Sequence, residues 1–222
     1  LYINGGEPFI MPIQWKLLER LIDWGVAGNI SISYNTNCTT YDDSFSDYWK
    51  HFKSVNVGCS VDSVEDRNKF IRYPANWEKT NDHILKLAHN PHVTSMNITN
   101  SIQWLNAPFL DEFYEWATPL AKIKPHTTIN QNFVVFPHYL SLNCASNEFK
   151  EGLYDLYYDS KHSKQILTAT MQSYLDTKTT QKTIPTSFFC VARFFSNFVS
   201  TLRLLFTVGP SFMQESPTQP PT

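Results

Sequence analysis

The chain has 222 residues and a formal charge of −2, so it is the size of one compact domain and lacks the basic excess of a nucleic-acid binder. Charged residues make up 17% of it while hydrophobics reach 42% and aromatics 15%, which supplies a buried core and excludes wholesale disorder. Four cysteines (Cys38, Cys59, Cys144, Cys190) show no CxxC or other metal-ligand spacing and no secretory signal is visible, so a cytoplasmic chain with reduced thiols is expected.

Leu1-Tyr2-Ile3-Asn4 reads as the end of a strand running into Gly5-Gly6, and with no initiator Met the expectation is a fragment lacking its natural N-terminus. From Pro12 to Trp24, Ile13, Leu17, Leu18, Leu21 and Ile22 keep helical spacing, with Pro12 suited to the first turn and Gly25 to the C-terminal cap. Asn29 to Asn37 alternates as a strand. A short aromatic helix (45–52), a strand (55–62), a helix (77–88), a strand (93–102), a helix (108–121) and a strand (127–135) follow. Strands alternating with helices at this spacing predict a parallel sheet, doubly wound or closed toward a barrel.

Parallel strands covered on both faces read as near-continuous Val, Ile and Leu, and these do not. Ile30, Ile32 and Tyr34 oppose Ser31, Ser33, Asn35 and Asn37; the valines and Cys59 oppose Asn56, Gly58, Ser60 and Asp62; Met96, Ile98 and Ile102 oppose Ser95, Asn97, Thr99 and Ser101. In a barrel clad by helices the shared polar face points into the lumen, where buried hydrogen-bonding groups need a ligand or water. An antiparallel sheet with one wet face is the alternative that alternation alone allows.

Past residue 140 the pattern weakens into two helical stretches, 146–158 and 163–175. The last segment is basic and aromatic, with Phe188, Phe189, Phe194, Phe195 and Phe198; Arg193 and Arg203 leave only nine residues between them, short of the roughly 20 needed to span a membrane. It reads either as an interfacial helix or as sequence that has drifted from its parent. The resulting division is a core over 1–140, a helical extension over 141–183 and a tail over 184–222.

Gly5-Gly6-Glu7-Pro8 lies between a strand and a helix, where parallel strands place ligands. Two absent Cβ atoms let carbonyls approach a bound group, Glu7 adds a carboxylate and Pro8 stiffens the exit, a combination suited to an ammonium group. It lacks the Lys-Ser/Thr of a P-loop and the GxGxxG of a dinucleotide fold. An ordinary tight turn with a solvated Glu is the plainer account.

Taken with Asn35-Thr36-Asn37, Val57-Gly58-Cys59-Ser60-Val61-Asp62-Ser63, Asp66-Arg67, Ile71-Arg72 and Met96-Asn97-Ile98-Thr99-Asn100-Ser101 with Asn106, this loop resembles the radical S-adenosylmethionine (radical SAM) enzymes, over roughly residues 1–140 and closest to the branch with a SPASM or shortened twitch extension. The resemblance implies an α/β fold, a partial (β/α)6 TIM-like barrel of parallel strands, here missing its first strand and cluster loop. It implies S-adenosylmethionine as cofactor, with Gly5, Gly6 and Glu7 at its amino group, Ser60, Asp62 and Arg72 at its ribose or carboxylate, Ile98, Asn100 and Ile102 at its adenosine, and Pro8 and Asn35 also in the cofactor-binding set. It further implies a [4Fe-4S] cluster held by Cys-x3-Cys-x2-Cys, a motif absent here and expected upstream of Leu1, so this chain alone is expected to be inactive. A 5′-deoxyadenosyl radical, an electron donor and a peptide or small-molecule substrate complete that picture.

Two other readings stay open. A complete barrel hydrolase or isomerase would use Glu7 and Asp62 as acid and base facing each other across a pocket. A non-catalytic interaction module would show a large exposed aromatic patch. Ser60 and Asp62 also suit a helix cap, and Arg72 a surface ion pair.

Overall fold

A computed structural model describes residues 1–3 and 5–178. The expected segment 184–222, Cys190 included, lies outside the described residues. Five strands alternate with helices: β1 (Tyr2–Ile3), α1 (Pro12–Asp23), β2 (Ser31–Thr36), α2 (Phe45–Trp49), β3 (Ser54–Ser60), α3 (Glu65–Ile71), α4 (Trp77–His89), β4 (Ser95–Ile102), α5 (Leu110–Ala117), α6 (Leu120–Ile123) and β5 (Thr128–Phe133). Then come α7 (Asn147–Tyr158), α8 (Ser163–Ile166) and α9 (Ala169–Asp176).

The strands pair in the order β1-β2-β3-β4-β5 and every pair is parallel, which rules out the antiparallel alternative. Each crossover steps one strand in the same direction. With right-handed connections this lays successive helices on one side of the sheet, as in a barrel wall; a doubly wound sheet reverses order at a switch point. The molecule is therefore α/β with the sheet of a partial (β/α) barrel.

The helix side is apolar. Ile32 and Tyr34 of β2, Val55, Val57 and Cys59 of β3 and Met96, Ile98 and Ile102 of β4 are buried against Leu18, Trp49, Ile84, Leu87 and Phe113. Beside the β1–α1 connection an aromatic knot closes the core: Trp15 stacks on Phe45 at 4.0 Å, and Phe9 lies 4.8 Å from Phe45. Pairs of this kind contribute about 1 kcal/mol each beyond their burial. Tyr34 accepts from Trp49 Nε1 at 3.1 Å, and burial pushes its hydroxyl pKa up to about 12.

Three elements differ from the sequence expectation. The helix over 108–121 is a 3-10 turn at Ala107–Phe109, then α5, then α6, because Pro119 lacks the N–H that would continue α5 and instead caps α6. The helix over 163–175 breaks at Leu167, and Thr168 Oγ1 accepts from Met171 N at 3.2 Å to start α9. The seven-residue α3 has no apolar stripe long enough to betray it and follows a left-handed residue at its start, Glu65 (φ 52°). In α1 the inward positions are Gln14 and Leu18, while Ile13 is 63% exposed.

The C-terminal helices pack on the same unit, which spans Leu1–Ile184. Tyr157 donates to Ala107 O at 2.6 Å and accepts from Leu110 N at 2.9 Å, and Tyr174 stacks on Phe133 at 4.6 Å.

Candidate functional site

Turned away from the helices is a face without a charged side chain. Register sets Ser33 beside Asn56 and Ser95, Asn35 beside Gly58, Asn97 and Thr128, and Ser60 beside Thr99 and Asn130. Neighbouring strands in register share faces, so these rows form one polar floor. Its residues are half-buried or exposed rather than sealed in a lumen, and they bond to one another: Ser95 Oγ donates to Asn56 Oδ1 at 2.7 Å and Ser54 Oγ to Ser31 Oγ at 2.8 Å. At Gly58 a Cβ would stand 3.1 Å from Asn35 Oδ1 and 3.2 Å from Tyr34 O, so the Asn35 amide leans over a position only glycine leaves open.

The carboxyl ends of adjacent strands carry the loops. Gly5 (φ 99°) and Gly6 (φ 60°) turn in left-handed conformations and are exposed. Glu7 is buried instead of solvated: its Oε1 accepts from Thr36 Oγ1 at 2.5 Å and Phe9 N at 3.3 Å, and its Oε2 from Asn37 N at 2.8 Å. Pro8 opens a buried 3-10 turn. The end of β2 therefore stands between the 5–7 loop and the end of β3. There Cys38 (φ 58°) is fully buried beside Cys59, and burial, then that neighbour, raises its thiol pKa.

Beyond β3, Asp62 is 7% exposed and pairs with Arg72 Nε at 2.8 Å, while its Oδ1 accepts from Ser101 N at 2.9 Å. Asn106, outside the expected contact set, locks the loops of β3 and β4 by donating to Asp62 O at 2.6 Å and Ser101 O at 3.0 Å. Glu7 and Asp62 thus each spend their carboxylates on internal donors, Glu7 on Thr36, Phe9 and Asn37 and Asp62 on Arg72 and Ser101. The expected adenosine contacts lie on the other side of the sheet from the polar floor. Ile98, Asn100 and Ile102 have 0% exposure on the helix side of β4, because side chains two apart share a face and theirs is the face of Met96. Asn100 spends its amide on Asp62 O at 3.1 Å. Asn35, Ser60, Gly5 and Gly6 are the expected residues that stand at the polar floor and its rim.

Sequence reading also missed Ser63 and Gln103, just past β3 and β4. Each is buried, and Ser63 Oγ and Gln103 Oε1 have no protein partner among the described residues. Buried polar atoms of this kind, beside a polar floor and an exposed Gly-Gly turn, fit a ligand bearing hydroxyl, carboxylate and ammonium groups. A metal cluster does not fit: among the described residues no group of three His, Cys, Asp or Glu could hold a metal ion, and Cys38, Cys59 and Cys144 are free. Among the described residues, too, no helix is long and apolar enough to cross a membrane.

No protein-family model and no curated protein matches the sequence. The fold is similar to that of a solved radical SAM enzyme, native anSMEcpe with bound AdoMet and Cp18Cys peptide, at 18% identity and a TM-score of 0.50, covering 71% of this chain and 46% of that one. Native anSMEcpe with bound AdoMet matches at 18% identity over the same shares, with a TM-score of 0.47. The chain thus spans under half the length of the enzyme it resembles. At this identity the likeness is one of fold, a parallel sheet of the partial (β/α) barrel kind.

Proposed function

We propose that the chain is the S-adenosylmethionine-binding core of a radical SAM enzyme. The observation that carries this reading is the row of loops at 5–7, 36–38, 61–63 and 101–106, rising from the carboxyl ends of four adjacent parallel strands over an uncharged polar floor. The Gly5 and Gly6 carbonyls receive the ammonium group, Asn35 and Ser60 meet ribose hydroxyls, and Ser63 and Gln103 supply further polar contacts. The Asp62–Arg72 pair and Asn106 keep the β3 and β4 loops in register, so the contacts are preorganised. When bound and reduced by one electron, S-adenosylmethionine supplies a carbon-centred radical that removes a hydrogen atom from a substrate.

An electron donor and a substrate that is a peptide or a small molecule belong to the same reading; anSMEcpe was solved with a bound peptide, Cp18Cys. So does a cluster-binding strand and helix ahead of β1. In its support, β1 pairs only with β2 among the described residues, and Ile10 of the 3-10 turn and Ile13 and Leu17 of α1 are exposed apolar residues. Codons for Cys-x3-Cys-x2-Cys upstream of Leu1 would bear this out.

The test is equilibrium dialysis of radiolabelled S-adenosylmethionine against the 222-residue chain and a Ser60→Trp variant. The indole fills the space above the floor without entering the core. Saturable binding lost in the variant, at an unchanged melting temperature, is expected; no saturable binding, or binding indifferent to the tryptophan, overturns the reading.

A further inference from the structure

The Gly5-Gly6 turn has no side chain with which to hold itself. Both residues are exposed in left-handed conformations, and a Cβ on either would meet nothing within 4 Å. Such a turn is costly to order, because glycine loses more conformational freedom than any other residue. Its anchor is the next residue, Glu7, whose carboxylate is turned inward to three donors. Two of these, Asn37 N and Phe9 N, belong to the main chain and come with the fold. The third, at 2.5 Å, is the Thr36 hydroxyl. Thr36 is 2% exposed at the last position of β2, and its Oγ1 also accepts from Cys38 N at 2.9 Å, which fixes the direction of its own proton toward Glu7.

We infer that Thr36 is a positioning residue for the Gly5-Gly6 turn, acting through Glu7. This deepens the S-adenosylmethionine-binding reading and rests on it for the ligand, but not for the geometry. Glu7 is then not the partner of the ammonium group. Its three donors occupy the carboxylate, and the carbonyls of Gly5 and Gly6 face the ligand because Glu7 is pinned behind them. A bond from a hydroxyl to a buried carboxylate is among the stronger ones a side chain makes. Valine in place of Thr36 keeps the shape and removes the donor; serine keeps the donor.

The experiment uses the 222-residue chain with Thr36→Val, Thr36→Ser, Glu7→Ala and the double variant Glu7→Ala/Thr36→Val. Backbone 15N relaxation of Gly5 and Gly6 is measured without ligand, and S-adenosylmethionine affinity by calorimetry. For Thr36→Val the Gly5 and Gly6 order parameters fall from about 0.85 to below about 0.6, and affinity falls about tenfold. Thr36→Ser restores both to within about twofold of wild type, and adding Thr36→Val to Glu7→Ala changes affinity by less than about twofold, since one path carries both effects. Unchanged order at Gly5 and Gly6 in Thr36→Val, or effects of the two substitutions that multiply, overturns the inference. If Thr36→Val does not fold, Thr36→Ala removes the same hydroxyl with a smaller side chain, with the same two outcomes at Gly5 and Gly6. A wild-type chain that binds no S-adenosylmethionine sinks the functional reading alone, and the relaxation arm still decides the role of Thr36.

Discussion

Replacing Asn106 by alanine removes the tie between the loops of β3 and β4, and the cost can be worked out from its contacts. The side chain is 1% exposed. Its Nδ2 donates to Asp62 O at 2.6 Å and Ser101 O at 3.0 Å, with a longer contact of 3.4 Å to Asn100 Oδ1, and its Oδ1 accepts from Gln103 N at 2.8 Å. Asp62 O keeps a second donor, Asn100 Nδ2 at 3.1 Å, so its loss is partial. The Gln103 N–H and the Ser101 carbonyl lose this partner in a place water reaches poorly, at about 1 to 2 kcal/mol each. The expected loss is about 3 kcal/mol, a large share of the roughly 5 to 15 kcal/mol that holds a domain together. Urea unfolding followed by tryptophan fluorescence reads it directly, with the exposed Asn132→Ala on β5 as control. A loss below about 1 kcal/mol, or one equal to the control, would refute the claim that Asn106 organises this rim.

Other outcomes follow from the same coordinates. Lys124 Nζ donates to Asn90 O at 2.7 Å and Val93 O at 2.8 Å, so Lys124→Met should cost about 2 kcal/mol in the same urea assay. Burial lowers the Lys124 pKa, so the unfolded chain holds that proton more tightly; wild-type stability relative to the variant therefore rises as pH climbs from the folded value toward about 10.4, and a fall over that window contradicts the assignment. Under native conditions iodoacetamide should modify half-buried Cys144 before fully buried Cys38 and Cys59, as peptide mass spectrometry would show; early labelling at Cys38 would mean that the end of β2 is open. Gly58→Ala should cost about 1 to 2 kcal/mol in a thermal melt, because Tyr34 O, at 3.2 Å from the new methyl, is held in the main chain and cannot give way; a variant as stable as wild type would contradict this.

Much of the fold can be read from local pattern. The alternation of Ile32 and Tyr34 with Ser31, Ser33 and Asn35, repeated in β3 and β4, predicts both the strands and the division of the sheet into an apolar and a polar side, because a period of two is a property of the strand itself. The same alternation already separates Ile98 and Ile102 from the polar floor. Resemblance alone carried those two residues to a ligand, and the pleat places them on the helix side of β4. Helix limits were less legible where a single residue decides them: Pro119 and Thr168 each cut a continuous apolar spacing in two.

What only tertiary structure decided is the state of the carboxylates and the identity of the residues that hold them. The Glu7 carboxylate meets Thr36 across 29 positions of sequence and the Asp62 carboxylate meets Ser101 N across 39, separations over which no helical or strand period runs. The order of strands and helices along the chain pointed to a parallel sheet, which the strand pairing decided against the antiparallel alternative, and hydrophobic patterning marked its polar face, since burial acts on every alternate side chain at once. Whether an acid at a strand end points to solvent or into a ring of donors depends on one neighbouring strand arriving in one register, and that is settled only when the sheet assembles.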